Sequence, residues 1–158
     1  MKIGFIGLGN VGGKLAGSLL RNGFDLTVRD LNQEIASPFL DNGAKWGESP
    51  KKIAETVELI ITCLPNPEAS ATVMEADDGV LAGISHGKVW AEMSTTDEEE
   101  VKRLGKMVHE LGGEALDCPV SGGCHRAATG NISIFVGGER SSFEKILPVM
   151  KVLGRRIP

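Results

Sequence analysis

The sequence predicts an α/β fold: a doubly wound, mostly parallel sheet with helices on both faces, folded as one domain over residues 1–158. Three observations carry that expectation. Short apolar runs alternate with segments of helical periodicity along the whole chain. The opening, MKIGFIGLGNVG, is an apolar strand that breaks into closely spaced glycines and then into a helical stripe of Val11, Leu15, Leu19 and Leu20. The run Leu59 to Leu64 is apolar without alternation, as a central strand covered on both faces requires.

In chain order, the first strand runs to Ile6 and the helix after the glycines to about Arg21. A second strand, Leu26 to Val28, ends at Arg29-Asp30. Helical character follows from about Asn32 to Asn42, where Ser37-Pro38 either restarts the helix as cap and first position or kinks it. A short strand at Ala44 to Trp46 precedes a helix opened by Ser49 as cap and Pro50 at its first position. Pro65-Asn66-Pro67 ends the central strand, Glu68 to Glu75 is helical, Asp77-Asp78-Gly79 turns, and Lys88 to Ala91 is the next strand. Thr96 to Leu111 has the strongest helix signals: a capping box of Thr96 and Glu99, acids in the first turn, and a stripe of Val101, Leu104, Val108 and Leu111 before Gly112-Gly113. Strands are expected at Glu114 to Cys118 and Asn131 to Val136, and a last helix from Ser141 to Val152.

Bulk properties exclude several function classes. A net charge of −4, with 4% aromatic residues and no tyrosine, argues against a nucleic-acid partner. No apolar run reaches a membrane span and no signal peptide opens the sequence, so a cytoplasmic location without membrane attachment is the expectation. Three cysteines without a CxxC pair fit a reducing compartment, and Cys63, inside the central strand, is expected in the core. The histidines show no zinc-ligand spacing with the cysteines, so no metal is expected.

The glycines define a chemistry. Gly7 permits a sharp turn off the strand, Gly9 has no Cβ to hold a pyrophosphate away from the backbone, and Gly12 lets helix and strand pack closely. The helix start offers free N–H groups and a partial positive charge. Asp30 lies 21 positions after Gly9, the spacing of a carboxylate that accepts from ribose hydroxyls. Together these predict a Rossmann-type dinucleotide site. Asp30 would repel a 2′-phosphate and favour NAD(H), whereas Arg29 could swing onto that phosphate and admit NADP(H).

A second constellation is Asp117-Cys118-Pro119-Val120-Ser121-Gly122-Gly123. Pro119 stops a strand, and Ser121-Gly122-Gly123 then supplies a hydroxyl and open N–H groups at the sheet edge where α/β proteins bind ligands. Two readings stand side by side at this point: a nest for a substrate carboxylate, or a glycine-rich chain reversal.

With these residues in view, the chain resembles the NAD-binding domain of the β-hydroxyacid dehydrogenases over nearly its whole length. GFIGLGNVGGKLAGSLLRNGF looks like that family's cofactor signature, with Val11 where methionine is usual. DCPVSGG looks like its substrate motif, with Cys118 where alanine is usual. Met93-Ser94-Thr95, Thr62-Cys63-Leu64-Pro65 and TGNISIFVGG also match in order. The resemblance implies that Gly7, Gly9, Asn10, Val11 and Gly12 hold the pyrophosphate and Asp30 the adenosine ribose. Leu64 and Pro65 would flank that ribose, and Thr95 would lie by the nicotinamide ribose. Ser121, Gly122 and Gly123 would bind a small 3-hydroxy acid or semialdehyde. It further implies hydride transfer to or from NAD, with proton transfer by a lysine in a C-terminal helical domain, through which family members pair as homo-oligomers. No lysine here lies in that motif, and the chain ends at Pro158 where the second domain is expected to begin. The expectation is therefore a cofactor-binding half, with no catalytic residue of its own, that binds dinucleotide without turnover. A 6-phosphogluconate dehydrogenase-like enzyme and a non-catalytic dinucleotide-binding module are the alternatives; Cys124-His125-Arg126 after the VSGG motif counts against the first.

Overall fold

The structure is a computed structural model that describes residues 1–94, 97–121, 132–134 and 139–156. Its main sheet has six parallel strands, β1 (Lys2–Ile6), β2 (Asp25–Arg29), β3 (Lys45–Trp46), β4 (Leu59–Thr62), β5 (Val89–Glu92) and β6 (Glu114–Asp117), in the order β3-β2-β1-β4-β5-β6. The crossovers carry helices α1 (Asn10–Arg21), α2 (Ser37–Asp41), α3 (Pro50–Thr56), α4 (Pro67–Glu75), α5 (Val80–Gly83) and α6 (Glu98–Glu110). Beyond β6, a small sheet joins β7 (Val120–Ser121) antiparallel to β8 (Ile132–Ile134) and β8 parallel to β9 (Gly154–Arg156); α7 (Arg140–Leu153) runs into β9.

The doubly wound arrangement follows from apolar side chains on both sheet faces. Ile3, Phe5, Val28 and Ile61 meet Leu15 and Leu19 of α1 and Val149, Met150 and Leu153 of α7. On the other face Ile60 and Trp90 meet Ile53 of α3, Met74 of α4 and Leu104 and Val108 of α6. All four β4 residues are buried, with Leu59 and Ile61 on one face and Ile60 on the other, so the run carries no polar alternation. No helix among the described residues is long and apolar enough to cross a membrane.

Several elements differ from the sequence reading. The segment after Asn32 is a 3₁₀ turn, Gln33–Ala36, followed by α2; Ser37 is the first residue of that helix, not its cap, and Pro38 sits in the first turn, where its missing N–H costs nothing. Helix α6 is capped by Asp97, which accepts from the Glu99 amide at 3.0 Å, and Thr96 lies outside the described residues. Helix α5 and strands β7 and β9 are too short to leave a periodic signal and were not anticipated.

Candidate functional site

Strand order reverses at β1, which pairs with β2 on one side and β4 on the other. The loops leaving β1 and β4 part at that point, and a cleft of about 790 Å³ opens at the carboxyl ends of the strands.

The glycine turn forms its floor. Gly7 has φ +105, and its amide donates to the Arg29 carbonyl at 2.9 Å, which ties the turn to the end of β2. A Cβ at Gly7 would collide with the carbonyl oxygen of Cys63, and one at Gly12 with the carbonyl oxygen of Gly7. Gly9 is different: a Cβ there would meet nothing within 4 Å, so its lack of a side chain is not explained by packing within the protein. Gly9 also caps α1 without a side-chain acceptor, and the first turn of α1 holds no acid. Exposed Asn10 and half-buried Val11 begin that turn beside the cleft. Uncapped N–H groups at the positive end of a 12-residue helix, with open backbone before them, suit an anionic group such as a pyrophosphate.

Asp30 stands just past β2. Its Oδ2 accepts from the Leu8 amide at 2.8 Å and its Oδ1 from the Asn32 amide at 3.0 Å. A carboxylate has about four acceptor sites, so capacity remains for a ribose diol. Arg29 is engaged elsewhere: Nη1 donates to the carbonyls of Gly47 and Glu48, both at 2.8 Å, and the guanidinium lies 5.4 Å from the Trp46 ring centroid. A swing onto a 2′-phosphate would break all three contacts.

Leu64 and Pro65 line the cleft with Val73 of α4, and so do Leu31 and Ile35. Leu31 is 99% exposed, an apolar side chain laid open directly after Asp30. Sequence reasoning passed over Leu31, Ile35 and Val73; the place of Leu31 directly after Asp30 was the available signal.

The larger omission is Glu92. This last residue of β5 is fully buried. Its Oε1 accepts from Thr62 Oγ1 (3.0 Å), Ser94 Oγ (2.6 Å) and the Ser94 amide (3.0 Å), and its Oε2 from Ser70 Oγ (2.9 Å). Trp90 Nε1 donates to Thr62 Oγ1 at 2.9 Å, and the Leu64 amide donates to Ser94 Oγ at 2.6 Å. One carboxylate therefore links the exits of β4 and β5 with the first turn of α4.

Cys63 is packed against the core at its edge and is not enclosed within it. It lies one residue past β4, is partly exposed, and lines the cleft behind the glycine turn. Burial, with Glu92 adding, pushes its thiol up to about 12; Cys118 is also raised to about 12 by burial first, then by Asp117 and Glu92. Ser121 belongs to β7, directly after cleft-lining Val120. Thr95, Gly122, Gly123, Cys124, His125 and Arg126 lie outside the described residues.

The fold and cleft define a Rossmann dinucleotide-binding domain. Residues 2–158 match the family described as the NAD binding domain of 6-phosphogluconate dehydrogenase, and the chain belongs to that family as the NAD-binding domain of the β-hydroxyacid dehydrogenase group. Among curated relatives, 2-(hydroxymethyl)glutarate dehydrogenase of Eubacterium barkeri is 37% identical over 99% of this chain and 52% of its own length. For 2-hydroxy-3-oxopropionate reductase of Escherichia coli the figures are 36%, 99% and 53%. The cytokine-like nuclear factor N-PAC of Homo sapiens is 32% identical over 98% of this chain and 28% of its own length. A solved structure, Psf3 in complex with NADP+ and 2-OPP, superposes with a TM-score of 0.94 at 28% identity, over 98% of this chain and 55% of that one. The chain thus spans about half the length of the dehydrogenases it matches.

Proposed function

We propose that this chain is the NAD(H)-preferring cofactor half of a dehydrogenase acting on a small 3-hydroxy acid or semialdehyde. The observation that carries the reading is Gly9: its Cβ position is empty, and it stands before an uncapped helix whose loop is fastened to Asp30. Gly7, Gly9, Asn10, Val11 and Gly12 hold the pyrophosphate. Asp30 holds the adenosine ribose, Leu64 and Pro65 flank it, and Thr95 serves the nicotinamide ribose. The preference for NAD(H) rests on the Asp30 charge and on the engagement of Arg29 with Gly47, Glu48 and Trp46. When bound, the nicotinamide accepts or supplies hydride; the protein orients it. Ser121, Gly122 and Gly123 bind the substrate carboxylate or hydroxyl, and the proton is handled by a lysine in a helical domain beyond Pro158. The dehydrogenase relatives, twice as long, support that division.

Paired titrations with NADH and NADPH, followed by Trp46 and Trp90 quenching, test this. Saturable NADH binding at least tenfold tighter than NADPH is expected, with no turnover of hydroxyacids by the 158-residue chain. Tighter NADPH binding overturns the roles given to Asp30 and Arg29. Failure of a folded chain to bind either overturns the site.

A further inference from the structure

Glu92 is the feature that the cofactor reading leaves unexplained. A fully buried carboxylate is expensive unless its charge is paired or heavily hydrogen-bonded. Among the described residues no cation contacts it; the four donors are the hydroxyls of Thr62, Ser70 and Ser94 plus one backbone N–H. Such a shell holds a carboxylate but leaves its negative charge uncompensated. For fixing loops alone, a neutral side chain of the same shape would serve.

The position of that charge is informative. A dinucleotide crosses the switch point with one mononucleotide on each half of the sheet. Asp30 at the end of β2 marks the adenosine half, so the nicotinamide half lies over the ends of β4 and β5. Glu92 ends β5, and its partners Thr62 and Ser94 stand at the ends of the same two strands, Ser94 on the cleft surface. Glu92 adds to burial in raising the thiol of Cys63, which lines the cleft.

Resting on the cofactor reading above, we propose that Glu92 is a positioning residue for the nicotinamide half: it sets Ser94, and its buried negative charge favours the cationic ring of NAD+ over the neutral ring of NADH. This shifts the bound cofactor couple toward the oxidised form, a property neither Asp30 nor the glycine turn supplies.

The test is the ratio of Kd(NAD+) to Kd(NADH), measured by calorimetry on the wild-type chain and on Glu92→Gln and Ser70→Ala. Glutamine keeps an acceptor for Thr62 and Ser94, and the Ser70 hydroxyl can rotate to accept from the new amide. E92Q is expected to raise the ratio by at least about fivefold, because it removes a unit charge that NAD+ feels and NADH does not. S70A removes one hydrogen bond and keeps the charge, so its ratio stays within twofold of wild type. An E92Q that weakens both forms equally shows a structural role only and overturns the proposal while the cofactor site stands. If E92Q fails to fold, the wild type decides: NAD+ binding at least as tightly as NADH supports the proposal, and tighter NADH overturns it. A wild-type chain that binds neither form overturns the cofactor reading, and this inference with it.

Discussion

Alanine at Gly9 and at Gly12 should separate binding from folding, because a methyl group meets opposite surroundings at the two sites. Gly9 has φ −66 and ψ −164, which any L-residue adopts, and its Cβ position is empty. Two small terms then oppose each other. Restricting the unfolded chain stabilises by about 0.4–1 kcal/mol, while alanine is the poorer residue at a helix N-cap by a comparable amount. The net lies within about 1 kcal/mol, or about 4 °C in Tm for a domain of this size. On the proposed site the same methyl would occupy the approach of the pyrophosphate to the backbone, so Kd for NADH should rise at least tenfold, about 1.4 kcal/mol. Gly12 is buried, and its new Cβ would strike the Gly7 carbonyl with the Cys63 Cβ at 3.4 Å beside it. The Gly7 backbone is tied to the Arg29 carbonyl and resists displacement, so overpacking costs about 1–3 kcal/mol, which lowers Tm by about 2–12 °C. Thermal melts and NADH titrations on both variants give the comparison. A Gly9→Ala protein that melts as early as Gly12→Ala refutes the open geometry. One that melts like wild type and binds NADH like wild type refutes the path of the pyrophosphate over Gly9.

Asp30→Ala removes two backbone-to-carboxylate hydrogen bonds, for a loss of about 2–4 kcal/mol; Asp30→Asn keeps an acceptor and should recover most of it, and equal urea midpoints for wild type and D30A would show that Leu8 and Asn32 are held by other means. In a Cys124→Ser background, Cys63 and Cys118, with thiols pushed up to about 12, should give no fast reaction with an aromatic disulfide at pH 8 and two equivalents once unfolded; one fast native thiol would contradict this. Arg103 binds Glu75 of α4 and Glu100 through paired contacts of 2.6–3.0 Å and holds both carboxyls below their ordinary 4.5. A depressed carboxyl stabilises above its unfolded value and loses that contribution as pH falls through the folded one. The urea-midpoint gap between wild type and Arg103→Ala should therefore be present at pH 7 and shrink below about pH 4.5; a gap that widens in acid would reverse the assignment.

What the sequence made legible follows from how local each signal is. The β1 turn is a backbone problem solved within six residues, so Gly7, Gly9 and Gly12 could each be assigned a task, and the contacts of Gly7 and Gly12 match those tasks. Asp30 stands out in the sequence by its spacing from Gly9. Its bond to the Leu8 amide was not legible, because that bond spans 22 positions and depends on strand register. Glu92 was illegible for the same reason in stronger form. Its partners stand 2, 22 and 30 positions away, and one polar residue at the end of an apolar run reads as the point where the chain meets water. Arg29 looked available for a phosphate because Trp46 and Gly47 become its neighbours only when β3 pairs with β2.

The cleft is an extension of the sheet, and that bears on how it works. The first residue past each of four strands still donates along the ladder: Gly7 to Arg29 at 2.9 Å, Cys63 to Ile6 at 3.0 Å, Met93 to Thr62 at 2.8 Å and Cys118 to Glu92 at 2.7 Å. The described residues that would meet the cofactor first are thus placed by strand register and by Asp30 and Glu92, not by closure of a loop. Ordering a loop on binding consumes part of the interaction energy at each immobilised group. A site whose backbone donors are set before the ligand arrives avoids most of that cost, and it also cannot tolerate a methyl group at Gly7 or Gly12. Rigidity and intolerance here have one origin: the turn off β1 is packed against the exit of β4 at Gly7 and against its own carbonyl at Gly12, so closely that only glycine fits at either position.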